Sequence, residues 1–445
     1  MTVEAQRIEL FFEGIKKLPE MAQPVEMSDA DRLHQVKTTF LAKLNRRMAV
    51  DLESCVHCGQ CAEACHYYNA TQDPKYTPIR KVELLKRVYQ RELSPTRWLR
   101  RLWTRDITLD EVNEWIALVY DSCTECGRCF MVCPMGINIP AMVNVSRQAF
   151  ANAGLIPVEL RAMEQEQYAG NTLFGIGPDQ TEAAIREIGD KIGVEVPFNK
   201  EKADVLLLTS VVEVMVFTDQ IASAIKVLNH LKLNWTLHMD GFEAANFGML
   251  SGFEPLQKRA GDRIVKTAKK IGAKTILVPE CGHAFPSLRW DQANEDEQEF
   301  PFEVLTMAEL MARELRNGNL RVKPIGKGKT VTFHDPCKIG RHSGVFEEPR
   351  AMLGALGVEF REAESSKTVN WCCGGGAGVF LLNSAADLRQ GAWKIKQAQI
   401  DATGAEGVVL SCASCRLNFE KGARNNHWDK PIESLLSLVA ENLDE

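Results

Sequence analysis

Fourteen cysteines are the side chains best suited to chemistry in this 445-residue chain, and their spacing is far from random. Eight lie in two runs, Cys55-x2-Cys58-x2-Cys61-x3-Cys65 and Cys123-x2-Cys126-x2-Cys129-x3-Cys133. The other six are Cys281, Cys337, the adjacent pair Cys372-Cys373, Cys412 and Cys415. The opening MTVEAQRIELFFEGIKK carries acids early and has no continuous apolar stretch, so no secretory signal is expected. If the chain works peripherally at the inner membrane a partner must anchor it, and the expected location is cytoplasmic. There, thiols hold metals or do redox work rather than pair with each other. With 45% hydrophobic and 25% charged residues, the chain is neither disordered nor a small disulfide scaffold, and a net charge of −6 argues against nucleic acid as a partner.

Both four-cysteine runs match the spacing of two-cluster bacterial ferredoxins. Three thiolates of each run wrap one cubane on a tight loop, and the fourth, carried on the following helix, reaches the other cluster. One [4Fe-4S] cubane is therefore assigned to Cys55, Cys58, Cys61 and Cys133, and the second to Cys65, Cys123, Cys126 and Cys129. Gly59 and Gly127 are expected where a side chain would crowd the cluster. Zinc also suits paired C-x2-C motifs, but it does not account for two four-cysteine runs, the second closed by Pro134. His66 stands where the first run would have proline, and His66, Tyr67 and Tyr68 read as packing beside a cubane.

Downstream, Cys337 lies in FHDPCKIGR, the pair in WCCGGGAG, and Cys412 and Cys415 in SCASC. Adjacent cysteines cannot both serve one tetrahedral metal without strain, which points to a larger multi-iron assembly. This constellation resembles the cysteine-rich (CCG) domain of the heterodisulfide reductase family. The resemblance implies that Cys337, Cys372, Cys373, Cys412 and Cys415 hold a noncubane [4Fe-4S] cluster at which a disulfide is cleaved or formed. From about residue 30 onward the domain order is also that family's fused architecture. Within it, ESCVHCGQCAEACHYY, LDEVNEWIALVYDSCTECGRCFMVCP and ECGHA are most similar to the iron-sulfur subunit of the membrane-bound, quinone-interacting complex associated with sulfite reductase. That branch implies a quinol-oxidising cytochrome b-type membrane subunit as partner. Its substrate would be a disulfide or trisulfide, either a thiol compound or a sulfur-carrier protein. A second resemblance, to glycolate oxidase iron-sulfur subunits, implies instead an electron relay for a flavin-dependent glycolate- or lactate-type dehydrogenase.

These residues need elements to position them. The pattern predicts an α/β fold: an α-helical two-[4Fe-4S] ferredoxin-like module followed by two pseudo-repeated strand-helix CCG subdomains. The expected parts are an N-terminal helical segment (1–50), broken at Pro19 and Pro24 with Ser28 capping the next helix, and the two-cluster module (51–150). A degenerate CCG subdomain (200–320) and the intact one (328–445) follow. The runs DVLLL, KTILVP, KTVTFH and GVVLS read as strands of parallel sheets, and ADVLLLTSVVEVMVF as one buried strand interrupted by Asp204 and Glu213. The acidic loop 294–299 and the glycine-punctuated 316–329 read as connections. Aligning the copies puts Cys281 opposite Cys412 and Ala284 opposite Cys415, with the first copy's other cysteine positions near Ser210 and at 242–245. Cys281 with His283 becomes a candidate catalytic pair beside the cluster, as thiol acceptor or proton-linked partner, and His334 and Asp335 are expected to orient the Cys337 loop. Between residues 75 and 105 ten basic residues face only Glu83 and Glu92, interleaved with Trp98, Leu99, Leu102 and Trp103. This segment is the expected membrane or partner contact.

Overall fold

The computed structural model describes residues 3–295, 299–326 and 328–444; residues 296–298 of the acidic loop and 327 of the glycine-punctuated connection lie outside the described residues. Two four-stranded parallel sheets carry the C-terminal half. The first comprises β1 (Val205–Leu207), β2 (Trp235–Thr236), β3 (Thr275–Val278) and β4 (Glu303–Thr306), in the order β2-β1-β3-β4. The second comprises β5 (Thr330–Phe333), β6 (Glu359–Phe360), β7 (Gly407–Leu410) and β8 (Ile432–Ser434), in the order β6-β5-β7-β8. The predicted duplication is thus present strand for strand. All residues of β1, β3, β5 and β7 are buried, as expected of inner strands covered on both faces.

The copies meet through helices related by the same pseudo-symmetry. Helix Thr218–His230 packs on Leu435–Glu441, and Met307–Arg316 on Glu347–Ala355. Leu207 and Leu277 of one sheet share a continuous apolar core with Val331 and Val409 of the other.

The cubane module is helical, with helices Arg46–Ser54, His66–Thr71, Glu83–Glu92, Leu109–Tyr120 and Ile139–Asn152. The boundaries expected at residues 50 and 150 fall inside the first and last of these. Ser28 caps helix Asp29–Lys43, accepting from the Asp31 N–H at 3.2 Å. Pro19 does not end the first helix, which runs Val3–Met21. That helix is no separate unit. Its acids reach the intact copy, where Glu4 pairs with Arg416 at 3.1 Å and Glu9 with Lys421 at 3.1 Å.

ADVLLLTSVVEVMVF is corrected. Only Val205–Leu207 is strand, and Val211–Met215 is helix. Glu213, read as an interruption, is the third residue of a capping box, accepting from the Ser210 N–H at 2.8 Å and the Ser210 hydroxyl at 2.7 Å.

Candidate iron-sulfur centres

Each ferredoxin-type run folds into a loop closed by a short helix, Gln60–Glu63 after the first and Arg128–Met131 after the second. The two loops share their backbone signature: positive φ at His57 and Gly59 in one, and at Glu125 and Gly127 in the other. A Cβ at Gly59 would meet nothing within 4 Å, so the residue is required for its φ of +85° rather than to avoid crowding by the surrounding protein atoms. The structure brings Cys55, Cys58, Cys61 and Cys133 together around one cavity of about 210 Å³, walled by Ile79, Ile137 and Ile139. Cys65, Cys123, Cys126 and Cys129 surround a second, tighter one. The fourth cysteine of each run thus lines the cavity of the other run.

The five downstream cysteines also converge. Each sits just beyond a strand or on the glycine-rich loop, and all are at most 8% exposed. The Cys372 thiol contacts those of Cys337 and Cys373, Cys373 reaches Cys415, and Cys415 reaches Cys412. The loop that carries the pair turns at Gly374 (φ +87°), where a Cβ would lie 2.6 Å from Ala392 Cβ. All fourteen cysteines are free thiols. Three groups of unpaired thiols, two of them around cavities, form a donor set that suits iron-sulfur clusters.

The second cubane site and the five-cysteine site adjoin. Cys126 contacts Cys372, and the Thr124 hydroxyl lies 3.4 Å from Cys372 Sγ. His66, read from sequence as packing, stands at this junction. It is 3% exposed, and one ring nitrogen lies within 4.8 Å of the sulfurs of both Cys126 and Cys372. His334 holds the same relation to Cys373 and Cys415. The Nε2 atoms of both histidines are buried and have no partner among the described residues, which fits a group seated between them.

Several backbone contacts fix the module on the intact copy. Tyr67 Oη donates to Gly374 O at 2.7 Å, Arg341 to Cys126 O at 2.7 Å, and Arg128 to Val369 O at 2.8 Å while stacking on Trp371. The fully buried Arg147 donates to Cys123 O at 2.8 Å, Ala377 O at 2.7 Å and Leu250 O at 2.9 Å, joining the module to both copies.

Asp335 does orient the Cys337 loop, through a two-pronged pair with Arg350 at 2.9 and 3.0 Å. Sequence reasoning missed Lys396. It is 1% exposed, on helix Ala386–Ala402, and its ammonium donates to Asn370 Oδ1 at 2.6 Å. Asn370 in turn approaches His334 at 3.4 Å. Burial brings the Lys396 pKa down to about 7, against the upward pull of Asp335 and of Cys373, Cys372 and Cys415.

Strand register corrects the alignment of the copies. Val278 pairs with Thr306 and Leu410 with Ser434, and Thr306 and Ser434 each cap the next helix. Val278 therefore matches Leu410, which puts Glu280 opposite Cys412, Cys281 opposite Ala413, and His283 opposite Cys415. The degenerate copy has a carboxyl, Glu280, opposite Cys412, and two more, Glu213 and Glu243, nearby. Glu213 and Glu280 are buried, and Glu243 lies within 242–245. Burial raises Glu213 to about 7 and Glu243 to about 8, and lifts Glu280 well above the ordinary range.

Cys281 is buried, 3.8 Å from His283 Nδ1, and burial, with Cys412 nearby, lifts its pKa well above the usual thiol range. His283 Nε2 accepts from the Asn246 N–H at 3.3 Å, and burial holds the ring's pKa down to about 4. The adjoining Gly282 leaves room only for the Cys412 sulfur, which a Cβ there would approach to 2.9 Å.

Residues 51–137 match the 4Fe-4S dicluster domain family, and residues 331–420 match the cysteine-rich domain family. The chain is similar to a subunit of the dihydromethanophenazine:CoB–CoM heterodisulfide reductase of Methanosarcina mazei, 28% identical over 88% of this chain and 94% of that one. It is also similar to the Hdr-like menaquinol oxidoreductase iron-sulfur subunit 2 of Archaeoglobus fulgidus, 26% identical over 87% of this chain and 79% of that one. The EtfAB:quinone oxidoreductase of Syntrophomonas wolfei is 26% identical over 84% of this chain and 56% of that one. Domains, fold and cysteine sites together define an iron-sulfur electron-transfer protein of the oxidoreductase type. These matches support a heterodisulfide-reductase-like protein.

Proposed function

We propose that the chain is the iron-sulfur subunit of a heterodisulfide-reductase-like complex that reduces or forms a disulfide or trisulfide in sulfur metabolism. When bound, two [4Fe-4S] cubanes and a noncubane [4Fe-4S] cluster supply one-electron relay and storage of the two equivalents that a sulfur-sulfur bond requires. The protein's part is to order the sites. Cys58 is exposed at the first, the second lies between, and Cys126 touches Cys372 at the third, whose five ligands are all buried. This gradient from surface to interior carries the reading, because electrons enter where a partner reaches and end where water does not.

Electrons come from a quinol-oxidising, cytochrome b-type membrane partner that holds the chain at the membrane surface, as in the sulfite-reductase-associated branch. Among the described residues no helix is long and apolar enough to cross a membrane. The sulfur substrate, a small thiol compound or a carrier protein's arm, approaches through a cleft of about 560 Å³ lined by Glu125, Trp290, Lys338 and His342, beside the Cys337 loop. Cys281 and His283, whose ring lies within the influence of the Lys338 charge, serve as thiol acceptor or proton-linked pair.

The likeness to a relative named EtfAB:quinone oxidoreductase supports a second reading, in which the intact copy only relays electrons for a flavin-dependent dehydrogenase and meets no thiol. Electron paramagnetic resonance of the oxidised holoprotein, with and without added thiol, separates the two. A paramagnetic signal altered by thiol is expected, and a signal indifferent to every thiol offered overturns the sulfur chemistry in favour of relay.

A further inference from the structure

The segment 75–105 is not the continuous basic face that its composition suggests. Lys81 is buried and donates to Ser122 O, and Arg87 pairs with Glu111 at 2.7 Å. Arg100 binds Glu53 in two-pronged fashion at 2.9 and 3.1 Å, and Arg101 pairs with Glu92. What the fold does leave unpartnered is apolar. Trp98 is 73% exposed, Leu102 78% and Trp103 65%. They lie on and just after the one-turn helix Arg97–Arg100, in a stretch where nearly every residue from Pro95 to Trp103 is exposed. A globular surface rarely shows two tryptophans and a leucine side by side without a use for them.

We infer that this projecting tip inserts into the interfacial region of an anionic lipid leaflet and so holds the first cubane site against the membrane. Three observations carry it. The tip offers two exposed indole rings beside an exposed leucine, and indole favours the boundary between headgroup and hydrocarbon. Its surround stays positive after the internal pairings, since residues 86–106 hold seven basic and two acidic side chains, and Arg97 has no side-chain partner among the described residues. Such charge draws anionic headgroups. Finally, the Arg100–Glu53 pair ties the tip to the end of helix Arg46–Ser54, which leads straight into Cys55. The adjoining Val56 is 70% exposed and Met135 50%, so the mouth of the first site extends the same apolar surface. A quinol-derived electron would then enter from the membrane side.

The inference deepens the membrane part of the proposed function and is independent of the sulfur chemistry. The test is flotation of the holoprotein with vesicles of phosphatidylcholine and phosphatidylglycerol, and with phosphatidylcholine alone. A triple variant, Trp98→Ser with Leu102→Ser and Trp103→Ser, is run beside it. The variant removes no side-chain hydrogen bond or ring contact among the described residues, and unchanged cluster absorption confirms that it is folded. Wild type should float with the anionic vesicles, and the variant should bind at least about tenfold more weakly, since each lost apolar anchor is worth on the order of a tenfold change in partition. Brominated acyl chains should quench tryptophan fluorescence in wild type only. Equal flotation of the two proteins overturns the inference. So does failure of wild type to bind any vesicle while it still binds membranes that contain protein, an outcome that assigns the tip to a protein partner. Failure of the quinol or sulfur reading would leave flotation unchanged.

Discussion

Replacing Lys396 by methionine removes a buried positive charge next to the five-cysteine site while keeping the volume of the aliphatic stem. The ammonium is one hydrogen bond from Asn370, which approaches His334, which in turn groups with Cys373 and Cys415. Two equivalents stored on the cluster add negative charge, which a neighbouring cation favours. At a separation of ~8 Å and an effective dielectric of ~20, a unit charge contributes about 2 kcal/mol, or ~90 mV for a one-electron couple. Because the Lys396 pKa is brought down to about 7, the charge is fully present at pH 6 and largely gone in the oxidised protein above pH 8. Lys396→Met should therefore lower the potential of this site most at pH 6. It should also flatten the pH dependence that wild type shows above pH 7. Redox titration followed by electron paramagnetic resonance reads both quantities, with the two cubanes as internal controls. A variant that keeps its iron and titrates within ~10 mV of wild type at pH 6 would refute the electrostatic role.

The carboxyls of the degenerate copy should make stability depend on pH. Glu213 is raised by burial from 4.5 to about 7, so the native state holds a proton the unfolded state has lost. Its contribution is complete below pH 4.5 and is lost as pH rises through 7. The difference in unfolding free energy between wild type and Glu213→Gln should shift by roughly 3 kcal/mol between pH 4.5 and 8. A difference that stays flat across that range argues against a buried neutral carboxyl. Cys281→Ser should keep the iron content and all cluster spectra, since the Cys281 sulfur pairs with the His283 ring rather than with another thiol. Turnover with a disulfide substrate should fall by about tenfold or more, in line with a lost thiol acceptor or proton-linked step. Full turnover removes Cys281 and His283 from the mechanism.

The inner strands of both sheets were legible because burial on two faces leaves an uninterrupted aliphatic run, as in TILV and GVVL. The edge strands were not. WT, EF and IES are two or three residues long, too short for any period to register. The two four-cysteine runs match two-cluster ferredoxin spacing, from which the crossed sets were expected, and Cys133 and Cys65 each line the other run's cavity. The match of Cys281 to Cys412 failed because like residues were paired. The first copy carries Pro279 and Glu280 between strand and thiol, whereas the second carries only Ser411, so the sheet registers differ by one. His66 and Lys396 had no readable signal. A single histidine or lysine in a helical stretch has no periodicity or spacing partner, and only the tertiary fold brings His66 beside Cys126 and Cys372 and Lys396 beside Cys372, Cys373 and Cys415.

The arginine and tyrosine contacts that seat the cubane module on the intact copy end mostly on backbone carbonyls, several of them on the cysteine loops themselves. A carbonyl cannot turn away as a side chain can, so the spacing between donor and acceptor sites is settled once, when the chain folds. Carriers that swing between stations pass charge at a rate set by diffusion and solvent friction. A protein riveted in this way instead passes charge at a rate set by tunnelling distance, indifferent to viscosity, and any regulation must act at its two ends.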